Sequence, residues 1–287
     1  MISPYVRRLR LAGELRALRE QADLTHDQLA KKIGGHRPTI SRLENGHVPP
    51  NMDDVFKILD ALGVEGEKWE QAVTIAREAA ERGWWESGSK EMGERQALYA
   101  NLEAGATGIR EYQQGLIPGL LQTAEYVRAR LTAKGWTKSA AGSTPDGIVE
   151  GRMGRQRLLR RPSGPTYELI LDEVAIRRAT APQQVLADQY RHLADKASQD
   201  KTEIRILPVD ATIGSFTVPV CTFSIYSYPS DPSVVAVETV TTDTVLTVPD
   251  DVERYVDRYG LLRQAALPPQ ESIEFLIKAA DRLLPGT

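Results

Sequence analysis

A chain of 287 residues is long enough for two domains, each with its own hydrophobic core. Hydrophobic residues make up 41% of it and charged residues 26%, which excludes disorder as a description of the whole chain. The formal net charge of −3 excludes a basic surface over the whole protein, yet residues 1–48 carry nine Lys or Arg against five Asp or Glu. Residues 49–83 reverse this balance, with four against eight. Such a local asymmetry is typical of a small nucleic-acid-binding domain on an otherwise acidic protein.

Cysteine content and hydropathy narrow the class of protein further. Cys221 is the single cysteine, which excludes an internal disulfide, and we predict that it is a buried strand residue. No apolar stretch approaches the roughly 20 residues that span a bilayer. The first eight residues lack the apolar core of a secretion signal. We therefore expect a cytoplasmic protein that makes no contact with a membrane.

The first third of the chain predicts five short helices. Leu11, Leu15 and Leu18 recur at the spacing of one helix face. Thr25 precedes the next helix as an N-cap, and Gln28 completes a capping box. The other four helices are predicted at residues 26–33, 37–45, 52–62 and 67–82. Because the connecting loops are short, we expect an all-α five-helix bundle over residues 1–83.

A Gly-Trp-Trp-Glu-Ser-Gly-Ser stretch at residues 83–89 marks a domain boundary, so we predict a linker at residues 84–94 and a second domain at residues 95–287. Trp84 and Trp85 are expected to anchor the linker. Helices are predicted at 95–114, 122–133, 152–161, 183–197, 252–266 and 271–284, strands at 167–171, 203–207, 220–226 and 234–240, and a surface loop at 137–147. Helices mixed with about four or five strands predict a mixed α/β (α+β) fold.

The segment from Thr25 to Gly46 reads THDQLAKKIGGHRPTISRLENG and resembles the helix-turn-helix of the phage-repressor-like (Cro and cI type, XRE) family. Ala30 supplies the small residue where two steeply crossing helices touch, and Gly34 supplies the turn between them. Ile40 and Leu43 are spaced to press the second helix onto the first. The sequence therefore predicts a helix-turn-helix DNA-binding domain.

In that family the second helix of the pair enters the major groove. The resemblance implies that four residues contact bases: His36, Arg37, Pro38 and Arg42. It also implies that five residues contact phosphates: His26, Gln28, Thr39, Ser41 and Asn45.

Four further charged residues in this domain allow two interpretations each. Glu44 is either a base reader or the intramolecular partner of Arg16 or Arg19, and we favour the partner. Arg7, Arg8 and Arg10 either reach the DNA backbone or a minor groove, or form a solvated tail.

The second domain resembles a large actinobacterial regulator family in which an XRE-type domain precedes a C-terminal domain of unknown function, described as antitoxin-like. The resemblance implies control of development, sporulation or secondary metabolism, often beside a gene for a small partner protein. The residues that carry it are Gly83-Trp84-Trp85, Leu102-Glu103-Ala104, Ile109-Arg110-Glu111-Tyr112, Ile117-Pro118-Gly119-Leu120-Leu121-Gln122-Thr123, Tyr126-Val127-Arg128-Ala129, Arg155-Gln156, Leu171-Asp172-Glu173, Ile206-Leu207-Pro208 and Val237-Glu238.

Two features of this domain need a functional interpretation. Asp172-Glu173 is either a carboxylate pair for acid–base catalysis or the start of a helix, and we favour the helix start. Because no Gly-rich phosphate loop and no metal-spaced cluster occurs, we expect no enzyme, no cofactor and no metal. The arginines Arg152, Arg155 and Arg157, in a run that continues to Arg160 and Arg161, are either a solvated helix face or an anion contact. The anion would be an acidic partner protein, a phosphorylated ligand or flanking DNA.

The leading hypothesis is a dimeric transcriptional regulator that binds double-stranded DNA at a pseudo-palindromic operator, because one such domain alone buries little surface. The C-terminal domain would form the homodimer and receive a signal or a partner. Two alternatives stay open: an antitoxin-like interaction module that acts with a small neighbour-encoded protein, and a sensor gated by an unknown small-molecule ligand.

Overall fold

The computed structural model describes residues 3–83, 92–132 and 144–284. The chain divides into an N-terminal unit, Met1–Ser87 with Tyr99–Gly105, and a C-terminal unit, Gly88–Leu98 with Ala106–Thr287. Residues 84–91 of the predicted linker, including Trp84 and Trp85, lie outside the described residues, and so do residues 137–143 of the predicted surface loop.

Residues 3–83 form five helices around one hydrophobic core, as the sequence predicts. Ser3 caps the first helix, and Thr25 and Gln28 form the predicted capping box of the second. The core contains the fully buried Leu15 and Ile40. The helices are α1 Pro4–Gln21, α2 His26–Lys32, α3 Arg37–Asn45, α4 Met52–Ala61 and α5 Gly66–Ala80.

Helix α1 begins at Pro4, and this early start corrects the prediction for two of the three N-terminal arginines, Arg7 and Arg8. Arg7 and Arg8 are only 6% exposed. The Arg7 guanidinium lies 3.0 Å from a carboxylate oxygen of Glu78 on α5, and the Arg8 Nε donates to the carbonyl of Ala79 at 2.8 Å. Arg10 pairs with Glu14 one turn further along α1. Arg7 and Arg8 therefore form neither a DNA-contacting arm nor a solvated tail, because they fasten α1 to α5, whereas a DNA contact of the partly exposed Arg10 stays a prediction.

The C-terminal unit is built on a six-stranded mixed sheet with the order β3-β2-β1-β4-β5-β6. Strands β1, β2 and β3 are parallel, and β4, β5 and β6 continue the sheet antiparallel to their neighbours. The strands are β1 Gly108–Gln113, β2 Thr166–Asp172, β3 Thr202–Leu207, β4 Phe223–Ser227, β5 Val234–Val237 and β6 Thr244–Leu246. Helix α6, Glu94–Glu103, is divided between the two units at Tyr99. The helices that belong wholly to the C-terminal unit are α7 Ala124–Thr132, α8 Pro145–Gln156, α9 Glu173–Arg177, α10 Gln183–Ala197, α11 Pro249–Ala265 and α12 Pro269–Leu283.

One face of this sheet packs against α11. The buried side chains of Tyr112, Ile170 and Phe223 project from three adjacent strands and meet Tyr259 and Leu262 of the helix in one hydrophobic cluster. This arrangement of one mixed sheet and surrounding helices confirms the predicted α+β class.

The prediction was wrong over the second half of residues 95–114. Helix α6 ends at Glu103, Gly105 follows with a left-handed φ of 75°, and the chain continues as the central strand β1. Helix α8 begins at Pro145, earlier than predicted, and passes into a 3₁₀ turn at Arg157–Arg160. Strand β6 was not predicted. Cys221 is half-buried and lies just before β4.

Candidate nucleic-acid interface

Helices α2 and α3 form the expected helix-turn-helix. The turn between them contains Gly34, whose φ of 65° is the left-handed conformation that glycine adopts without strain. Ala30 is buried on α2, and Ile40 and Leu43 are buried on α3. Pro38 is at the start of α3, where a missing N–H costs little because no helical acceptor is available there. The buried face of α3 therefore fixes which of its side chains point outward.

The residues predicted to contact bases lie on the exposed part of α3. His36 is the N-cap residue, and His36, Arg37, Pro38 and Arg42 are all exposed. The Arg37 side chain is 65% exposed, and its Nε lies 3.9 Å from a carboxylate oxygen of Asp27. The Arg42 Nε donates to the Pro38 carbonyl at 3.3 Å. Both guanidiniums are thus accessible on the helix that would enter a groove, Arg37 in its first turn and Arg42 in its last.

The residues predicted to contact phosphate are less uniform. Asn45 and Gln28 are exposed, whereas Thr39, Ser41 and His26 are partly covered. Two of them have intramolecular roles: Gln28 Oε1 accepts the Thr25 amide at 2.7 Å, and His26 Nε2 lies 3.0 Å from Glu44. A phosphate would therefore meet Gln28 through its side-chain NH₂.

Glu44 is the buried centre of an ion-pair network that joins α1, α2 and α3. Its side chain is 3% exposed, and the Arg19 guanidinium binds it in a bidentate manner at 2.7 and 2.8 Å. Arg16 donates to its backbone carbonyl at 2.6 Å. Burial raises the pKa of Glu44, but the hydrogen bonds from Arg19 and His26 outweigh burial and hold that pKa below its usual range. The predicted intramolecular role of Glu44 is confirmed, because this carboxylate cannot face DNA.

Gly46 ends α3 in a left-handed conformation, with a φ of 66°, against the backbone of α1. A Cβ at this position would lie 3.0 Å from the Arg8 carbonyl oxygen. We expect Gly46→Ala to destabilise the N-terminal unit by about 2–3 kcal/mol, since the left-handed backbone costs about 1–2 kcal/mol and the contact adds to it. Urea unfolding, followed through hydrogen exchange in α2 and α3, measures this loss.

The matched control is Gly63→Ala. Gly63 has a φ of 68°, but a Cβ there would meet no atom within 4 Å. Replacement of Gly63 should therefore lower the free energy of unfolding only by the cost of a left-handed backbone, about 1–2 kcal/mol. Equal losses for the two variants would contradict close packing of Gly46 on α1.

Sequence reasoning did not assign Asp27, Lys31 or Lys32, all of which are exposed on α2. The signal for the two lysines was the local excess of basic residues before position 48. Asp27 gave no such signal, because its approach to Arg37 depends on the crossing of α2 and α3. Lys31 and Lys32 extend the basic surface beside the helix that carries Arg37 and Arg42.

The three arginines predicted as a possible anion contact occupy different environments in the C-terminal unit. Arg152 Nη1 donates to Gln122 Oε1 at 2.5 Å, and Arg155 is only 8% exposed. Both guanidiniums lie close to Gly119: a Cβ at this position would be 3.6 Å from Arg152 Nε and 3.7 Å from Arg155 Nη1. Arg157 is exposed. Of the three, Arg157 is the side chain most accessible to a large partner.

The two carboxylates at residues 172 and 173 lie where β2 meets α9. Asp172 Oδ1 accepts the Val174 amide at 2.9 Å as an N-cap, and its Oδ2 accepts the Tyr112 hydroxyl at 3.0 Å. Glu173 accepts the Val209 amide at 2.9 Å and pairs with Arg177. The predicted helix start is confirmed, and each carboxylate has intramolecular partners.

The described ranges lack two features. They contain no group of three or more His, Cys, Asp or Glu side chains placed to hold a metal ion. No helix within these ranges has the length and apolar character required to cross a membrane.

Comparison with known protein families assigns a family to each region of the chain. Residues 10–71 match the model of a helix-turn-helix domain, HTH_31. Residues 96–278 match the model of DUF5753, a domain of unknown function. No curated protein and no solved structure matches the chain.

Proposed function

The chain belongs to the DUF5753 family and carries a helix-turn-helix DNA-binding domain, and from this premise we propose that it is a sequence-specific transcriptional regulator of XRE type. In this proposal α3 enters the major groove, and Arg37 and Arg42 read base edges. The protein acts in the cytoplasm as a homodimer on a pseudo-palindromic operator. The C-terminal domain holds the dimer together and receives a signal or a small partner protein.

The observation that supports this function best is the division of α3 into two faces. Ile40, Leu43 and Glu44 are buried against the other helices, while Arg37 in the first turn and Arg42 in the last turn are exposed. An arginine fork can bond both guanine acceptors in the major groove, which discriminates against a wrong base by about 1–3 kcal/mol. A bundle used only for protein docking would not need two arginines at these positions.

The resemblance of the C-terminal motifs to actinobacterial regulators supports a role in development or secondary metabolism. The carboxylates at residues 172 and 173 support a non-catalytic role, because each is engaged in holding β2, α9 and the following loop together. The exposed Arg157 offers a positive charge to an acidic partner protein.

We expect Arg37→Ala to remove the preference of the protein for its operator by about 1–3 kcal/mol while leaving non-specific binding nearly unchanged. Fluorescence anisotropy measures this preference with the DNA upstream of the protein's own gene and with random DNA of equal length. A salt series separates the two kinds of contact, because loss of a phosphate contact lowers the salt slope by about one unit and loss of a base contact does not.

Arg77→Ala is the matched control, since Arg77 is an exposed arginine on α5 of the same unit. It should leave both the preference and the salt slope unchanged. Equal effects of the two replacements would show that Arg37 contributes charge alone. A wild-type protein with no preference for its own upstream DNA would favour the interaction-module alternative.

A further inference from the structure

The two edges of the six-stranded sheet differ in how their backbone groups are bonded. At β3, the Ile206 amide donates to the Ser272 hydroxyl at 3.0 Å, and the Ile206 carbonyl accepts the Leu267 amide at 2.8 Å. At β6, within the described ranges, the backbone of Thr244–Leu246 bonds only to β5. An edge with unbonded backbone groups is a ready template for another strand.

The register shows which β6 residue presents its backbone at this edge. The Glu238 amide donates to the Thr222 carbonyl at 3.1 Å, so every second residue counted back from Glu238 directs its backbone groups toward β4. Val237 therefore directs its groups the other way, toward its β6 partner Thr244. Val245 follows Thr244, and its N–H and C=O point away from the sheet.

The composition of this edge is that of a paired strand. The three residues of β6 are Thr, Val and Leu, and the flanking turn and loop from Thr239 to Pro249 contain six further Thr or Val residues, the β-branched types that favour strands. The single charged residue among them, Asp243, lies 3.0 Å from the Arg95 guanidinium, and its side chain is 1% exposed. Val240 and Val248, which flank β6, are 97% and 56% exposed. Proteins protect a free edge by keeping the strand very short or with lysine, proline or an inward-pointing charge. β6 is short, at three residues, but none of the three is a lysine, a proline or a charged residue.

We propose that β6 pairs in an antiparallel manner with β6 of a second copy of this chain, about a two-fold axis that passes between the two Val245 residues. An antiparallel pair centred on one residue is self-complementary, because each copy supplies both the N–H and the C=O that the other needs. Asp243 is already paired, so two copies meet without repulsion, and the edge offers no free charge to attract a partner of opposite sign. The pairing joins two sheets into one continuous sheet.

This inference deepens the proposed function, since it rests on the need of a pseudo-palindromic operator for two DNA-binding domains. It assigns the dimer interface to one strand of the C-terminal unit. The Val245 amide and carbonyl are the groups that the pairing uses.

Sedimentation velocity of the full chain over a wide concentration range tests the pairing. We expect a dimer whose dissociation constant rises at least about tenfold in Val245→Pro, which loses the outward N–H, and in Thr244→Lys, which places a charge on the edge. Thr212→Lys is the matched control, because Thr212 is exposed in the loop between β3 and β4 and belongs to no strand edge, and it should leave the constant unchanged.

A disulfide test gives an answer that does not depend on a destabilising substitution. In a Cys221→Ser background, Val245→Cys should cross-link two copies on mild oxidation. Directly opposed residues of a hydrogen-bonded antiparallel pair have Cα atoms about 5.5 Å apart, within the range of about 4.4–6.8 Å that a disulfide spans. Thr212→Cys in the same background should stay monomeric on a denaturing gel.

Three outcomes would overturn the inference: a monomeric wild type, a dimer unaffected by both edge variants, or no cross-link through position 245. These measurements use no DNA, so they do not test operator binding. A monomeric wild type would also contradict the homodimer of the proposed function, whereas the other two outcomes contradict the β6 interface alone. A protein that prefers its operator but does not pair through β6 contradicts the interface alone. A protein that cross-links at position 245 but shows no DNA preference contradicts the regulator assignment.

Discussion

Glu44→Ala is expected to lower the free energy of unfolding of the N-terminal unit by about 3–5 kcal/mol. The substitution leaves the Arg19 guanidinium without the carboxylate that it binds at 2.7 and 2.8 Å, and Arg19 is itself buried. Removal of one partner of a buried ion pair is costly because the remaining charge stays desolvated. Urea unfolding, with hydrogen exchange in α2 and α3 as the readout, measures the loss.

Glu14→Ala is the control for this prediction. Glu14 pairs with Arg10 at 2.9 Å one turn away on α1, but both side chains are about one-third exposed. An exposed pair of this kind contributes roughly 0.3–0.5 kcal/mol. Similar losses for the two variants would mean that Glu44 is not the centre of a buried network.

The pH dependence of stability provides an independent readout of the same network. A carboxylate whose pKa is lowered by folding stabilises the folded state fully above the ordinary pKa of 4.5, and this contribution disappears as the pH falls through the folded value. Wild type should therefore lose stability in the N-terminal unit below about pH 4.5. Glu44→Gln keeps the side-chain shape but cannot titrate, so it should lack this part of the acid destabilisation.

The N-terminal unit was largely predictable because its signals are local. Thr25 and Gln28 form a capping box across four consecutive residues, and Gly34 takes the left-handed conformation that a tight turn needs. The outward positions of Arg37 and Arg42 follow from the buried spacing of their neighbours on α3. Local patterns of this kind are set within about one or two helical turns, so a single sequence contains them.

The central strand β1 was wrongly predicted as helix because its polar residues do not indicate a buried strand. Glu111 and Gln113 are 7% and 4% exposed, yet polar residues at such positions are atypical of a strand that is covered on both faces. Glu111 accepts hydrogen bonds from the Tyr167 hydroxyl at 2.5 Å and from Gln113 at 2.7 Å. Tyr167 is more than fifty residues away in the chain, so no local pattern could indicate that these polar groups would be satisfied.

The surroundings of Arg152 and Arg155, like those of β1, could not be predicted from local sequence. Their spacing predicted an accessible surface or an anion contact. The fold brings Arg152 against Gln122 and buries Arg155 beside the Gly119 loop, so a solvated face is wrong for Arg155, and the anion contact stays a prediction. Which face of α8 is covered depends on segments that are distant in the sequence, and helical periodicity alone cannot reveal it.

Asp172→Ala is expected to lower the free energy of unfolding of the C-terminal unit by about 2–4 kcal/mol. Loss of the bond to the Val174 amide removes an N-cap, which costs about 1 kcal/mol. Loss of the bond to Tyr112 leaves a fully buried hydroxyl without its acceptor, which costs about 1–3 kcal/mol. Burial, followed by the charge of Asp172, raises the pKa of Tyr112, so the tyrosine stays protonated and needs an acceptor at every physiological pH.

Tyr112→Phe separates the two contributions, because the variant keeps the Asp172 cap and has no hydroxyl to satisfy. It should cost about 1 kcal/mol, and the double variant should cost less than the sum of the single variants, since the penalty of the orphaned hydroxyl disappears. Unfolding in urea, followed by hydrogen exchange in β1 and β2, measures all three. If Asp172→Ala leaves stability unchanged, the carboxylate does not hold this corner of the fold. An acid–base role for Asp172 and Glu173 would then explain two buried carboxylates better than packing does.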